Sequence, residues 1–195
     1  MNDLFRKKET AMSGSGNYRF GKLTKNCYKS EFLGYKCKAP KGGIFSTEED
    51  LLRMSNINPA LRVSNPDAFR EVYYSGNGIL DMFLTLESGA TMSVHWQYYP
   101  ANLHGGMNVA QLVAERQIGI NQENGGTPDG MPQSREIMGR DFVGITTSFT
   151  TTDGNTRYLQ EYYHECTNGM ITIAVNTTQY TFSEGQMLLD LLKKC

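Results

Sequence analysis

Residues 142–176 read FVGITTSFTTTDGNTRYLQEYYHECTNGMITIAVN, and this stretch decides the fold. It holds three long runs rich in Thr, Tyr, Phe, Ile and Val, which fit a pleated, half-buried surface. Two turn signals cut it, Thr152-Asp153-Gly154-Asn155 and Thr167-Asn168-Gly169. Asp-Gly and Asn-Gly accept the positive φ that tight hairpins require. The runs therefore predict an antiparallel meander over 142–151, 156–165 and 170–176.

The flanks extend that reading. Residues 134–138 predict a short further strand, and 121–132, NQENGGTPDGMP, reads as a loop. Downstream, Ser183 and Gln186 offer a cap for a final helix running to about Lys193. Met187, Leu188, Leu191 and Leu192 form its apolar stripe, and Lys193 and Lys194 sit at the end favoured by the helix dipole. Upstream, Asn108 and Gln111 cap a helix to about Ile120, with Val109, Leu112, Val113 and Ile120 toward the core. Strands are expected at 70–74, 79–86 and 90–98. In the last, Met92, Val94, Trp96 and Tyr98 share one face, and Thr91, Ser93, His95 and Gln97 share the other. Nearer the start, 28–32 and 35–39 predict a hairpin about Leu33-Gly34. Ser46 to Glu49 and Thr47 to Asp50 both have capping-box spacing for a helix over 48–55, with Leu51, Leu52 and Met54 inward. Helices are too few, and Asp/Asn-Gly hairpins too many, for a βαβ repeat. The expected class is α+β: a mostly antiparallel twisted sheet with flanking helices.

The chain has 195 residues and a mass of 21.9 kDa, the size of one domain. Residues 1–24, with the linker-like MSGSGN, read as a tail, and 25–195 as a single domain. Lys plus Arg is 19 against 20 for Asp plus Glu, a net charge of −1, which argues against a nucleic-acid binder relying on bulk positive charge. No run approaches the length of an apolar membrane span. Charged residues are only 20%, with Thr, Asn, Ser and Gln filling polar positions, a composition that fits an extracytoplasmic protein. No signal segment is visible at 1–9, so that location implies an export segment removed before this numbering, and the alternative is cytoplasmic. Cys27, Cys37, Cys166 and Cys195 form no CxxC. Cys27 and Cys37 flank the first hairpin and are placed to meet, while Cys195, as the last residue, is free to pair with another molecule.

The opening run at 26–47, NCYKSEFLGYKCKAPKGGIFST, resembles the start of small bacterial envelope domains, a Tyr- and Gly-bearing hairpin followed by a Pro-Gly turn and a short acidic helix. The close, 139–192, resembles theirs: a glycine-bearing strand, a long aromatic hairpin, a hydrophobic strand and a terminal helix. These domains are similar to the Mog1/PsbP-like fold, an α/β/α sandwich around an antiparallel sheet, and many are lipoproteins of Gram-positive bacteria. The resemblance implies a non-enzymatic accessory or binding role in the envelope, facing another protein or an envelope component, with no catalytic residue or cofactor to carry over.

Read as chemistry, the remaining motifs are sparse. His95, His104 and His164 lack HExxH or i, i+4 partners, so no metal site is expected; one would need His95, His104 and a carboxylate to converge. A small hydrolase is an alternative, using His164 with Cys166 on one strand face, or His95 with Ser93. The paired glycines lack a phosphate-loop context. A further alternative is a cytoplasmic immunity-type protein that binds and blocks a toxin. The aromatic residues point more clearly to contact. Tyr98 and Tyr99 end one strand, Tyr158 and Tyr162 share a face of another, and His104 lies in the loop between, so these five are the expected binding residues. Basic residues do not interleave with these tyrosines, so no nucleic acid is expected.

Overall fold

The meander is the centre of the molecule. A computed structural model of the chain describes residues 20–60, 64, 78–98, 108–166 and 169–195. The three long strands are β9 (Arg140–Thr150), β10 (Thr156–Cys166) and β11 (Gly169–Thr178). They pair antiparallel, Tyr162 lying opposite Gly144 on one side and Ile173 on the other. Gly154 at the β9–β10 turn has φ +80°, the conformation for which glycine is favoured.

The sheet grows from there. β6 (Thr91–Tyr98) pairs with β11, β5 (Ile79–Thr85) with β6, and β4 (Ile44–Phe45) with β5. On the far edge β7 (Thr127–Pro128) and β8 (Gln133–Ile137) both pair with β9. A second sheet is built from β1 (Lys22–Thr24), β2 (Cys27–Ser30), β3 (Tyr35–Lys38) and β12 (Leu192–Lys194), in that order. Three helices complete the described residues: α1 (Glu48–Met54) against β5, α2 (Val109–Glu123) across β9 and β10, and α3 (Phe182–Asp190) against β11. The expected α+β class, antiparallel sheet with flanking helices, is what the structure has, and the small second sheet adds to it.

The main core lies between the two sheets. Trp96, Val94 and Met92 of β6 and Ile171, Ile173 and Val175 of β11 meet Tyr28, Tyr35 and Cys37 from the small sheet and Leu188 and Leu189 from α3. The other face of the large sheet is covered by α2, where Val109, Ala110 and Ala114 pack on Ile145, Tyr163 and Met170.

Several sequence expectations are corrected here. In α2 the buried positions are Val109, Ala110, Ala114 and Asn121, while Leu112 and Ile120 are exposed. Small alanines let the helix approach the sheet closely, and Asn121 finds polar partners on it. The helix runs on to Glu123, and a strand, β7, forms inside the expected loop. In α1 the capping box is made by Thr47 and Asp50, and Met54 is 53% exposed. The last helix stops at Asp190, and Leu192–Lys194 pairs with β3, a tertiary contact overriding local helix propensity. In α3 the buried positions are Gly185, Leu188 and Leu189, with Met187 exposed. The strand Lys22–Thr24 lies inside the stretch read as a tail. All four cysteines are free. Cys27 lies opposite Lys38 and Cys37 opposite Tyr28, so strand alternation sends their side chains to opposite faces. Burial pushes the Cys37 thiol up to about 12, which keeps it protonated. The expected strand at 70–74 lies outside the described residues.

A polar network sits between α2 and the sheet. Asn121 Nδ2 donates to Thr147 Oγ1 and to Glu161 Oε2, both at 3.0 Å, and Gln117 Nε2 donates to Asn121 Oδ1 at 2.9 Å. Burial raises the pKa of Glu161, opposed by its contacts with Asn121 and Tyr163. A carboxyl with a raised folded pKa supplies stability that is complete at low pH and lost as pH rises through that pKa. Glu161→Gln keeps an acceptor for Asn121 and removes the buried charge. We expect it to melt above the wild type at neutral pH, with the gap closing as pH falls into the ordinary carboxylate range. Thermal melts of both proteins across pH check this.

Candidate functional site

The candidate site forms where β8 and β9 leave room for two side chains from distant parts of the chain. Tyr162 is buried on the core-facing side of β10, directly opposite Gly144. A Cβ at Gly144 would lie 2.6 Å from the Tyr162 ring, so this mid-strand glycine makes the seat for it. Arg135 comes from β8, opposite Phe142. Its guanidinium stands 5.5 Å from the centre of the Tyr162 ring, and Nη1 points to the tyrosine hydroxyl at 3.4 Å. Burial raises the pKa of the Tyr162 phenol, and the Arg135 charge works against that rise.

Arg135 is the shared wall of two open clefts. One, of about 380 Å³, is lined by Asp129, Met131, Gln133, Gly144 and Tyr162, among others. The second, of about 290 Å³, runs along Glu136 and Met138 to Leu189, Asp190 and Lys194. Together they make a groove along the β8 edge, with both signs of charge and an apolar side chain, Met131, 73% exposed at one end. Asp129 N donates to Thr146 O at 2.8 Å, fixing the wall of the larger cleft. We expect Gly144→Ala to displace the Tyr162 ring, cost about 1–3 kcal/mol and close that cleft. Urea denaturation measures the first effect and a crystal structure the second.

The five expected binding residues separate in space. Tyr162 belongs to the groove but is only 6% exposed, so it supports Arg135 rather than offering a surface of its own. Tyr158 shares its strand face, as expected, and packs on Phe182 with the rings tilted at 59° and their centres 4.6 Å apart. Tyr180, two residues before Phe182, is exposed. Tyr98 packs on Trp96, with ring centres 6.1 Å apart. Tyr99 and His104 lie outside the described residues. Of this site the sequence singles out Tyr162 and not Arg135; mid-strand Gly144 is the further local signal that could have found it.

Of the two nucleophile pairs, His164 and Cys166 are engaged elsewhere. His164 Nδ1 donates to the Asp141 carbonyl at 2.9 Å, and the Cys166 thiol donates to the Gly169 carbonyl at 3.2 Å. A backbone carbonyl cannot take up the proton that an attacking thiol must lose. The structure does bring His95 Nε2 within 3.0 Å of Ser93 Oγ. Ser93 is 5% exposed, however, and burial lowers the His95 pKa, as for a neutral imidazole satisfied inside the fold. Among the described residues no group of three His, Cys, Asp or Glu converges as a metal site requires. No helix among them is long and apolar enough to cross a membrane.

Several solved structures are similar to this chain, two of them as follows. One is the solution structure of cyanobacterial PsbP (CyanoP) from Synechocystis sp. PCC 6803, 12% identical, covering 92% of this chain and 99% of that one, with a TM-score of 0.47. The other is LpqN, described as involved in cell envelope biogenesis of Mycobacterium tuberculosis, 10% identical, covering 82% of each chain, with a TM-score of 0.48. At these identities and scores the two likenesses carry no argument about family or activity. Comparison with protein-family models and with curated proteins gives no match.

Proposed function

We propose that this domain is a non-enzymatic accessory module of the bacterial cell envelope that holds another protein in the groove around Arg135. The observation that carries this reading is the guanidinium of Arg135 braced over the buried Tyr162 ring between two adjoining clefts. Arg, Tyr and Met are enriched where proteins touch, and an anchor whose position is fixed by strands binds with little loss of entropy. The exposed Met131 offers an apolar contact beside the charge. The location outside the cytoplasm is supported by the low charged fraction and the Thr-, Asn- and Ser-rich composition.

A photo-crosslinking residue placed at Met131 in source cells tests the groove. The expected result is a discrete protein adduct that falls at least about tenfold when Arg135→Glu is added, the loss of one interface hot spot. The same crosslinker at Ile44, 70% exposed on the opposite edge of the sheet, is the control. Equal adducts from both positions, unaffected by Arg135→Glu in a protein of unchanged circular dichroism, would overturn the reading.

A further inference from the structure

The chain separates its basic residues by type. All ten lysines lie before residue 42 or at 193–194, and every basic residue between is an arginine. Nine of the 19 basic residues but only three of the 20 acidic ones fall in the first 38 positions. That segment carries +6 within a chain of net −1.

Topology then gathers these charges. β12 joins the edge of β3, which places the C-terminal lysines beside the N-terminal hairpin. The register is closer still: Lys22 lies opposite Lys29, Lys29 opposite Lys36, and Lys36 opposite Lys193. One lysine from each of four strands stands in a single row across the small sheet. At about 4.8 Å between strands the row is about 14 Å long. All four are exposed, as is Lys38 two residues along from Lys36. The intervening side chains, Tyr28, Ser30, Tyr35 and Cys37, are buried in the core, so the sheet has one apolar face and one lysine face.

Such a row opposes folding. Like charges directly opposite one another destabilise an antiparallel pair, and three such pairs occur in succession. The acid that meets the row is Glu31, bonded to Lys29 at 3.1 Å. An anionic partner relieves that repulsion. Its shape is constrained, because the lysine face is a sheet surface and its charges form a two-dimensional array. Lysine is a compact point charge on a flexible stem, suited to many anions of variable position and not to bidentate reading of one. No tyrosine, phenylalanine or tryptophan alternates with the lysines on this face, so it offers no stacking platform for nucleic-acid bases.

We propose that the outer face of β1, β2, β3 and β12 docks this domain flat on a bilayer surface rich in anionic phospholipid headgroups. Each lysine near such a surface contributes about 1 kcal/mol, a factor of about 5 in affinity. The attraction fades within a Debye length and is screened by salt. The lysine face meets the groove only at its β12 end, where Lys193 lines the smaller cleft: Lys22, Lys29 and Lys36 line neither cleft, and Arg135 is not on this sheet.

The test is flotation of the full chain with vesicles of about 30% phosphatidylglycerol in phosphatidylcholine, at about 0.1 M and about 0.5 M salt. Expected is binding to these vesicles and not to pure phosphatidylcholine, lost at the higher salt. The triple variant Lys22→Gln/Lys29→Gln/Lys36→Gln should bind about 100-fold more weakly. Arg53→Gln/Arg116→Gln/Arg157→Gln removes equal charge from other surfaces and should bind as wild type. Equal binding to both vesicle types, or a lysine variant that binds as wild type, overturns the proposal. So does tighter binding to double-stranded DNA than to the anionic vesicles at the same salt, which would assign the face to nucleic acid.

Discussion

Trp96→Ala is expected to cost about 3–5 kcal/mol, a large part of the whole stability of a domain. Trp96 is 1% exposed toward the end of β6, paired with Ile79 on one side and Ile171 on the other. Phe32, from the turn between β2 and β3, meets its ring edge-on at 5.2 Å, so this contact joins the small sheet to the large one. The indole fits closely: a Cβ at Gly169 would lie 3.0 Å from its Nε1 and 2.3 Å from the Gln97 carbonyl. Alanine here would lose the transfer energy of the largest buried side chain and leave a cavity that backbone on three strands cannot readily fill. Urea unfolding should show a lower midpoint at unchanged slope. Phe32→Leu keeps most of the apolar area and should lose only about 0.5–1.5 kcal/mol, the worth of the aromatic pair. A loss below about 1 kcal/mol for Trp96→Ala would mean that the two sheets are not held together here.

The second large effect is polar. Asp81 is fully buried beside a register shift in β5, facing the small sheet. The Tyr35 hydroxyl donates to its Oδ2 at 2.6 Å, Ser30 Oγ stands 3.5 Å from Oδ1, and the Tyr28 hydroxyl donates to its backbone carbonyl. A buried carboxyl depends on such donors. Tyr35→Phe removes the closest one and is expected to cost about 3 kcal/mol, at the upper end for a stranded polar group because the group can carry charge. Tyr35→Phe combined with Asp81→Leu should lose less than the sum of the single changes, since each single change strands the other partner. Strict additivity in that cycle would show that the two side chains do not interact. Burial first, and the Asp81 charge second, hold the Tyr28 phenol above its ordinary range, so this cross-sheet bond stays protonated in mildly alkaline solution.

The parts of this fold that could be read in advance are those coded locally. The Asp153-Gly154 turn and the alternation of Met92, Val94 and Trp96 placed strands correctly, because both signals act within a few residues. The capping box at Thr47 and Asp50 did the same for α1. What was missed depends on distant partners. Leu112 and Ile120 make a plausible stripe on α2, yet Ala110, Ala114 and Asn121 face the sheet, because Thr147 and Glu161 receive the asparagine there. Leu192–Lys194 continues a helical pattern, yet it closes the small sheet against β3. The candidate site was half legible. Tyr162 was picked out as an aromatic residue on a defined face, but Arg135 lies 27 residues away, and only the β8–β9 pairing sets it over the ring. The lysine row was invisible for the same reason, since its members come from strands at both ends of the chain.

The central claim is that this is an accessory module working outside the cytoplasm. Fractionation of source cells, followed by intact-mass analysis of the native product, tests it most directly. The account predicts the protein in the envelope or exterior fraction, with a mass showing a processed or lipid-modified N-terminus. An unprocessed chain beginning at Met1, found in the cytoplasm, would contradict it and turn attention to a soluble partner inside the cell.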